Sequence, residues 1–133
     1  MSRSCLPLVA TERGLVVQLS SHDDATVGSG NVVNQVELAY NDFGQITADR
    51  QSHSGAVAAG TPQVQSGYEN GSANTIRQTT LTYPDGRVLT YGYGAGGSTD
   101  DNASRVAAIT DDDSTQLVAY EYLGLGSFVQ TQY

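Results

Sequence analysis

The oxygen-bearing side chains between Asp100 and Asp111 are the group in this chain best placed to do chemistry. Asp100, Asn102, Ser104 and Asp111 have the spacing of ligands in a calcium loop. Such a loop needs glycine at its sharp turn and a bidentate glutamate at its end. Here Arg105 and Asp111 stand in those places. The plainer reading is a solvated turn. The run Asp111-Asp112-Asp113 reads the same way, as an exposed turn or an adventitious cation site. No cofactor and no resident metal is expected.

Other chemistry finds less support. Gly92-Tyr-Gly-Ala-Gly-Gly97 fits the Gly-x-Gly-x-x-Gly pattern and follows a strand signal. The residues after it, Ser98-Thr-Asp-Asp-Asn102, open no amphipathic helix, and their acids would repel a pyrophosphate. A hairpin connection explains the glycines better. His22 and His53 lie in polar stretches, beside Asp23 and between Ser52 and Ser54. Cys5 is the one cysteine, so an internal disulfide is excluded. No His-Glu-x-x-His, Cys-x-x-Cys or Gly-x-Ser-x-Gly occurs, and the expectation is a protein that is not an enzyme. Two Asn-x-Ser sequons, at Asn70 and Asn102, have meaning only in a eukaryotic secretory pathway.

The tyrosines offer a binding surface instead. Tyr83, Tyr91 and Tyr93 can share one sheet face, with Tyr120 and Tyr122 on a later strand. Amphipathic rings on a sheet can stack on sugars, which makes a carbohydrate-binding β-domain the alternative function. More often such rings form the half-buried side of the sheet itself.

These residues need strands and turns to hold them, and composition supplies both. The chain has 133 residues, 38% of them hydrophobic, with 15 glycines and 8 tyrosines. Fourteen acids against 6 basic residues, all arginine, give a net charge of −8. That excess argues against nucleic acid and against an anionic membrane surface as partners. The apolar part of the N-terminus is too short for a signal peptide's core, and no stretch is long enough for membrane insertion as a helix.

The clearest element is Leu81-Thr-Tyr-Pro-Asp-Gly-Arg-Val-Leu-Thr-Tyr91, a β-hairpin. Pro84 sets the first corner of the turn, Asp85 suits the second, and Gly86 can take the left-handed bulge position. The register then sets Leu81 opposite Leu89 and Arg77 opposite Tyr93. Strands are also expected over 14–20, 32–40, 45–50, 61–68, 75–83, 105–110, 116–122 and 128–133. The turns between them include Asn41-Asp-Phe-Gly44, Tyr68-Glu-Asn-Gly71 and Asp111-Asp-Asp-Ser-Thr115, and 52–60 reads as a long loop. No helix is expected. Residues 1–31 read as an N-terminal strand and polar loop, and 32–133 as a repetitive β-sheet region.

A recurring unit runs through that second region: Tyr, a short Asp-bearing turn, Gly, Arg or Gln, an aliphatic residue, then a strand. It appears as Tyr40-Asn-Asp-Phe-Gly-Gln-Ile46, as Tyr83-Pro-Asp-Gly-Arg-Val88, and more loosely as Asp101-Asn-Ala-Ser-Arg-Val106 leading to Tyr120-Glu-Tyr122. On these residues the chain resembles the YD-repeat, or RHS-repeat, family. It departs from that family's pattern at Asn41, Gln45 and Ser104, and its spacing is uneven.

The resemblance implies an all-β fold: antiparallel hairpins stacked as part of a long repeat sheet. It further implies a structural wall segment of a secreted or cell-surface bacterial protein, enclosing cargo or toxin. The expected partners are neighbouring repeats of a longer chain or another copy. In that reading Gly44, Pro84, Asp85 and Gly86 carry the architecture.

Overall fold

The computed structural model describes residues 8–26, 28–124 and 126–133; Cys5 lies outside them. The fold is all-β. Ten antiparallel strands form one sheet in sequence order: β1 Leu8–Ala10, β2 Val16–His22, β3 Val32–Tyr40, β4 Ile46–Ser52, β5 Gln63–Tyr68, β6 Gln78–Thr82, β7 Val88–Gly92, β8 Ala108–Thr110, β9 Gln116–Leu123 and β10 Ser127–Gln132. A single helical turn, α1 (Thr99–Asn102), interrupts the β7–β8 connection. By contacts the chain divides into two compact units, Met1–Gln65 and Ser66–Tyr133. The sequence-based boundary at residue 31 falls within the first, at the end of the β2–β3 loop.

Among the described residues one turn is used five times. In each, the first residue's amide donates to the fifth residue's carbonyl, and the fourth residue's amide donates to the first's. The segments are 11–15, 41–45, 71–75, 83–87 and 111–115, with N···O distances of 2.8 to 3.0 Å. The fourth position needs left-handed backbone, which glycine adopts without a Cβ clash. It is Gly14 (φ 77), Gly44 (φ 81), Asn74 (φ 60), Gly86 (φ 92) and Ser114 (φ 70). The Pro84-Asp85-Gly86 tip is therefore as expected, with Asp85 Oδ1 accepting from the Arg87 amide at 3.0 Å. Its register holds too: Leu81 faces Leu89 and Thr80 faces Thr90.

Three of these turns step through the chain at residues 14, 44 and 74. A fourth left-handed residue, Ser104 (φ 52), stands at the next interval of thirty. Its amide makes the same bond three residues back, to Asp101 O. Two residues after each comes an aliphatic side chain: Val16, Ile46, Ile76 and Val106. The turns with Gly86 and Ser114 at their fourth positions fall outside this spacing.

Several expectations require correction. The tip expected at Tyr68–Gly71 lies three residues on, at 71–74, because Gly71 (φ 81) is the turn's first residue and Asn74 (φ 60) its fourth. Leu8–Ala10 forms a strand too short to show a period. The expected strand 105–110 shrinks to β8, Ala108–Thr110. α1 was not expected; its polar sequence has no apolar stripe. It forms because the Ser98 side chain accepts from the Asp101 amide while Asp100 and Asp101 occupy the first turn.

Within each unit the side chains divide between two faces. In the first, Leu8, Leu19 and Val36 line up across β1, β2 and β3. The buried residues, Ser20, Gln35 and Ala48, lie on the opposite face. The 53–62 connection bonds to that face through Val57. In the second, Leu81, Leu89, Tyr91, Ile109 and Val118 share one face, and Thr80, Thr90 and Thr110 form a ladder on the other. Among the described residues, Ala48 and Val118 are the only buried hydrophobic side chains.

Candidate functional site

The densest constellation of charged and aromatic groups lies in the second unit, around α1. Arg77 leads into β6 and Tyr93 follows β7. The register sets them opposite, and the guanidinium carbon sits 4.2 Å above the Tyr93 ring centre. Its nitrogens reach Glu69 Oε1 at 3.0 Å, Asp101 Oδ1 at 2.5 Å and the Asp101 carbonyl at 2.7 Å. The Tyr93 hydroxyl donates to the Gln78 carbonyl at 2.6 Å. Burial, the larger influence, raises the Tyr93 pKa against the opposing pull of Arg77.

A second copy of this arrangement lies alongside. Arg105 sits 4.4 Å above the Tyr122 ring centre and bonds to Asp100 Oδ1 and the Gly124 carbonyl. The Tyr122 hydroxyl donates to the Val106 carbonyl at 2.6 Å. So adjacent carboxylates on one helical turn hold two different arginines, each stacked on a tyrosine. Gly97 donates its amide to Asp101 Oδ2 at 2.7 Å. That bond first, and Arg77 second, hold the Asp101 carboxyl below its usual range. Both arginine side chains are largely covered, at 15% and 11% exposure. Stacking on an aromatic face suits arginine's planar, weakly hydrated cation, and its fork fits carboxylates. The chemistry of the arrangement is cohesion: it ties the β5–β6 and β7–β8 connections and the end of β9 together.

At the turns of β6–β7 and β8–β9, Arg87 grips Asp111 with both carboxylate oxygens, at 2.5 Å and 2.9 Å. This bond draws the Asp111 pKa down to about 2 and pushes that of Arg87 up. The side chains of Asp111, Asp112 and Asp113 come within 4.8 Å of one another. The expected calcium ligands are otherwise engaged: Asp100 with Arg105, Asp111 with Arg87, and Asn102 Nδ2 with the Gly97 carbonyl at 3.0 Å.

The tyrosine face is only partly open. Tyr83 is 37% exposed, and Tyr91 is half-buried, which raises its pKa. One face of the Tyr93 ring is occupied by Arg77. The glycine-rich Gly92–Gly97 segment carries left-handed residues at Gly94 (φ 80) and Gly97 (φ 79), which bend the chain into α1. His22 ends β2 with Nδ1 buried and unpaired, and His53 begins the 53–62 connection.

The first unit uses a neutral device. Gln35 Nε2 donates to Ser20 Oγ at 2.7 Å, and Gln35 Oε1 accepts from the Val57 amide at 2.8 Å. Here too a tyrosine hydroxyl caps a carbonyl, Tyr40 to Val16 O at 2.7 Å.

Sequence reasoning placed Arg77 across from Tyr93 but missed Arg105 with Tyr122 and the paired role of Asp100 and Asp101. The available signal was the valine or isoleucine two residues past each left-handed position. It equates Ser104-Arg105-Val106 with Gly44-Gln45-Ile46. No protein-family model matches the chain, and no curated protein matches it.

Proposed function

We propose that this chain is a non-enzymatic structural segment, part of the wall of a secreted or cell-surface protein of the YD-repeat type. The observation that carries the reading is a repeating sheet with little core of its own. Three of the five hairpin turns stand thirty residues apart, yet Ala48 and Val118 are the only buried hydrophobic residues among those described. Repeat units of this kind gain stability by stacking on neighbours. The Arg–Tyr–Asp contacts support the same role, because they join connection to connection, although Glu69 Oε2 and Arg105 Nε are buried without a hydrogen-bond partner. They also count against the carbohydrate reading, since stacking on sugar needs a free ring face and Arg77 covers one side of Tyr93.

The test is an immunoblot of fractionated source cells with antibody against residues 1–133. The expected signal is a surface or extracellular band well above 14.0 kDa. A 14.0 kDa species confined to the cytosol would sink the proposal. Binding on a glycan array that is lost in Tyr83→Ala and Tyr91→Ala variants would favour the carbohydrate-binding alternative.

A further inference from the structure

Of the 6 asparagines in the chain, only Asn70 precedes a glycine. An asparagine can react with its own main chain: the next residue's backbone nitrogen attacks Cγ and closes an imide ring. A following side chain crowds that nitrogen, and glycine has none. Asn70, Ser72, Ala73 and Asn74 are exposed, so water and hydroxide reach the β5–β6 turn. Asn70 Oδ1 accepts from the Ser72 amide at 3.0 Å, which folds the side-chain amide back over the Gly71 peptide. The same N–H meets the negative charge that builds on Oδ1 as Cγ is attacked.

We infer that Asn70–Gly71 is a self-modification site, where the folded chain converts its own asparagine to aspartate and isoaspartate. The Gly71 nitrogen gives its proton to solvent base and bonds to Asn70 Cγ. The Cγ–Nδ2 bond breaks, and Nδ2 takes a proton from solvent and departs as ammonia. Water then opens the imide. Opening at Cγ gives aspartate in an ordinary backbone. Opening at the main-chain carbonyl gives isoaspartate, whose backbone runs through the side chain and is one carbon longer. The Gly71 amide donates to the Thr75 carbonyl at 2.9 Å, so this turn opens locally before the proton leaves.

The two products act differently on the Arg77 cluster. The Glu69 amide donates to the Arg77 carbonyl at 2.9 Å, and Glu69 Oε1 accepts from Arg77 Nε at 3.0 Å. Isoaspartate inserts its extra carbon between that pair and the Gly71–Thr75 pair. The two pairs then fall out of register, and the hold on Arg77 loosens. Aspartate keeps the backbone and adds one exposed charge. Two other sites set the scale. Asn41 Oδ1 accepts from the Phe43 amide at 3.0 Å, but Asp42 crowds the nitrogen and Gln45 Oε1 holds Nδ2 at 2.9 Å. Asp85 Oδ1 accepts from the Arg87 amide at 3.0 Å and Gly86 follows, but hydroxide leaves a carbonyl less readily than ammonia.

The test is incubation of the full folded chain at mildly alkaline pH and physiological temperature. Peptide mapping with electron-transfer fragmentation then distinguishes asparagine, aspartate and isoaspartate at each position. Asn70 should convert before the other asparagines and before Asp85, give both products, and convert faster as pH rises. The isoaspartate fraction should melt at a lower temperature than fresh protein, and Asn70→Asp at the same temperature. Asn70→Gln should stay unmodified, because its longer side chain must close a larger ring. Asn70 intact after another asparagine has converted overturns the inference. So does conversion in urea-unfolded chain alone, which would mean the Gly71–Thr75 bond shields the site. These results come from the wild-type map and stand whether or not a variant folds. An isoaspartate fraction that melts like fresh protein would overturn the link to Arg77.

Discussion

The two units hold their longer connections by different means. In Met1–Gln65 the long 53–62 connection is held by a neutral amide, Gln35, between Ser20 and Val57. In Ser66–Tyr133 the connections are held by arginines stacked on tyrosines and paired with acids. A buried amide must have its partners, or the desolvation cost goes unmet. An ion pair loses its attraction once its carboxylate is protonated, so it responds to pH. Acid should weaken both units, the first through Asp23 and the second through more groups, Asp101 and Asp111 among them.

The largest expected effect tests the neutral device. Gln35→Leu leaves the Ser20 hydroxyl and the Val57 amide without their partner. Gln35 is only 6% exposed and Ser20 only 4%. Leaving buried polar groups unsatisfied costs about 1–3 kcal/mol, read as a lower urea midpoint. A variant as stable as the wild type would mean water replaces the amide, and the contrast between the units would fall.

Next is Gly86→Val, at the tip of the β6–β7 hairpin. Gly86 sits at φ 92 with open space where a Cβ would go, so the penalty is purely conformational. A β-branched residue resists positive φ, and the loss should exceed about 1 kcal/mol. Unchanged melting would show that the turn relaxes to another type.

Tyr122→Phe and Tyr40→Phe compare the units at equal chemistry. Each deletes a hydroxyl bonded to a backbone carbonyl, at 2.6 Å and 2.7 Å. Each should cost about 1 kcal/mol by urea titration. The Arg105 stack survives in the phenylalanine variant. A much larger loss at Tyr122 would show that ring, guanidinium and hydroxyl act as one network.

Acid should separate the units further. The Asp111 carboxyl has its pKa lowered from 3.8 to about 2, chiefly by Arg87. A lowered folded-state value means the pair stabilises above pH 3.8 and that contribution fades as pH falls toward about 2. Melting temperature should drop through that window, and in Asp111→Asn the drop should shrink. An identical acid profile in the variant would remove Arg87–Asp111 from the account.

The hairpin at 83–87 was legible because proline, aspartate and glycine each meet one local demand of the turn, and such demands need no knowledge of distant chain. The same logic failed at 71–75, where the glycine misleads: Gly71 (φ 81) opens the turn, and Asn74 (φ 60) takes its fourth position. The Arg–Tyr stacks were half legible. Arg77 and Tyr93 follow from one hairpin's register, whereas Arg105 reaches Tyr122 across a longer connection that no local rule fixes. α1 was hidden because it rests on one cap and two acids, with no apolar stripe to announce it.

The smallest effect bears on why the repeat was hard to read. All five turns share the same two backbone bonds, yet their fourth residues are three glycines, Asn74 and Ser114. Left-handed backbone costs an ordinary residue about 1–2 kcal/mol, less for asparagine, whose side chain bonds locally. Glycine escapes that strain but loses more freedom on folding, which returns roughly 0.5–1 kcal/mol of the advantage. Ser114→Gly should therefore stabilise by about 0.5 kcal/mol, and Asn74→Gly should be nearly neutral. Urea midpoints at constant slope measure both. Destabilisation by Ser114→Gly would show that the serine makes a contribution beyond backbone geometry, and that the five turns are equivalent in their bonds but not in their energetics.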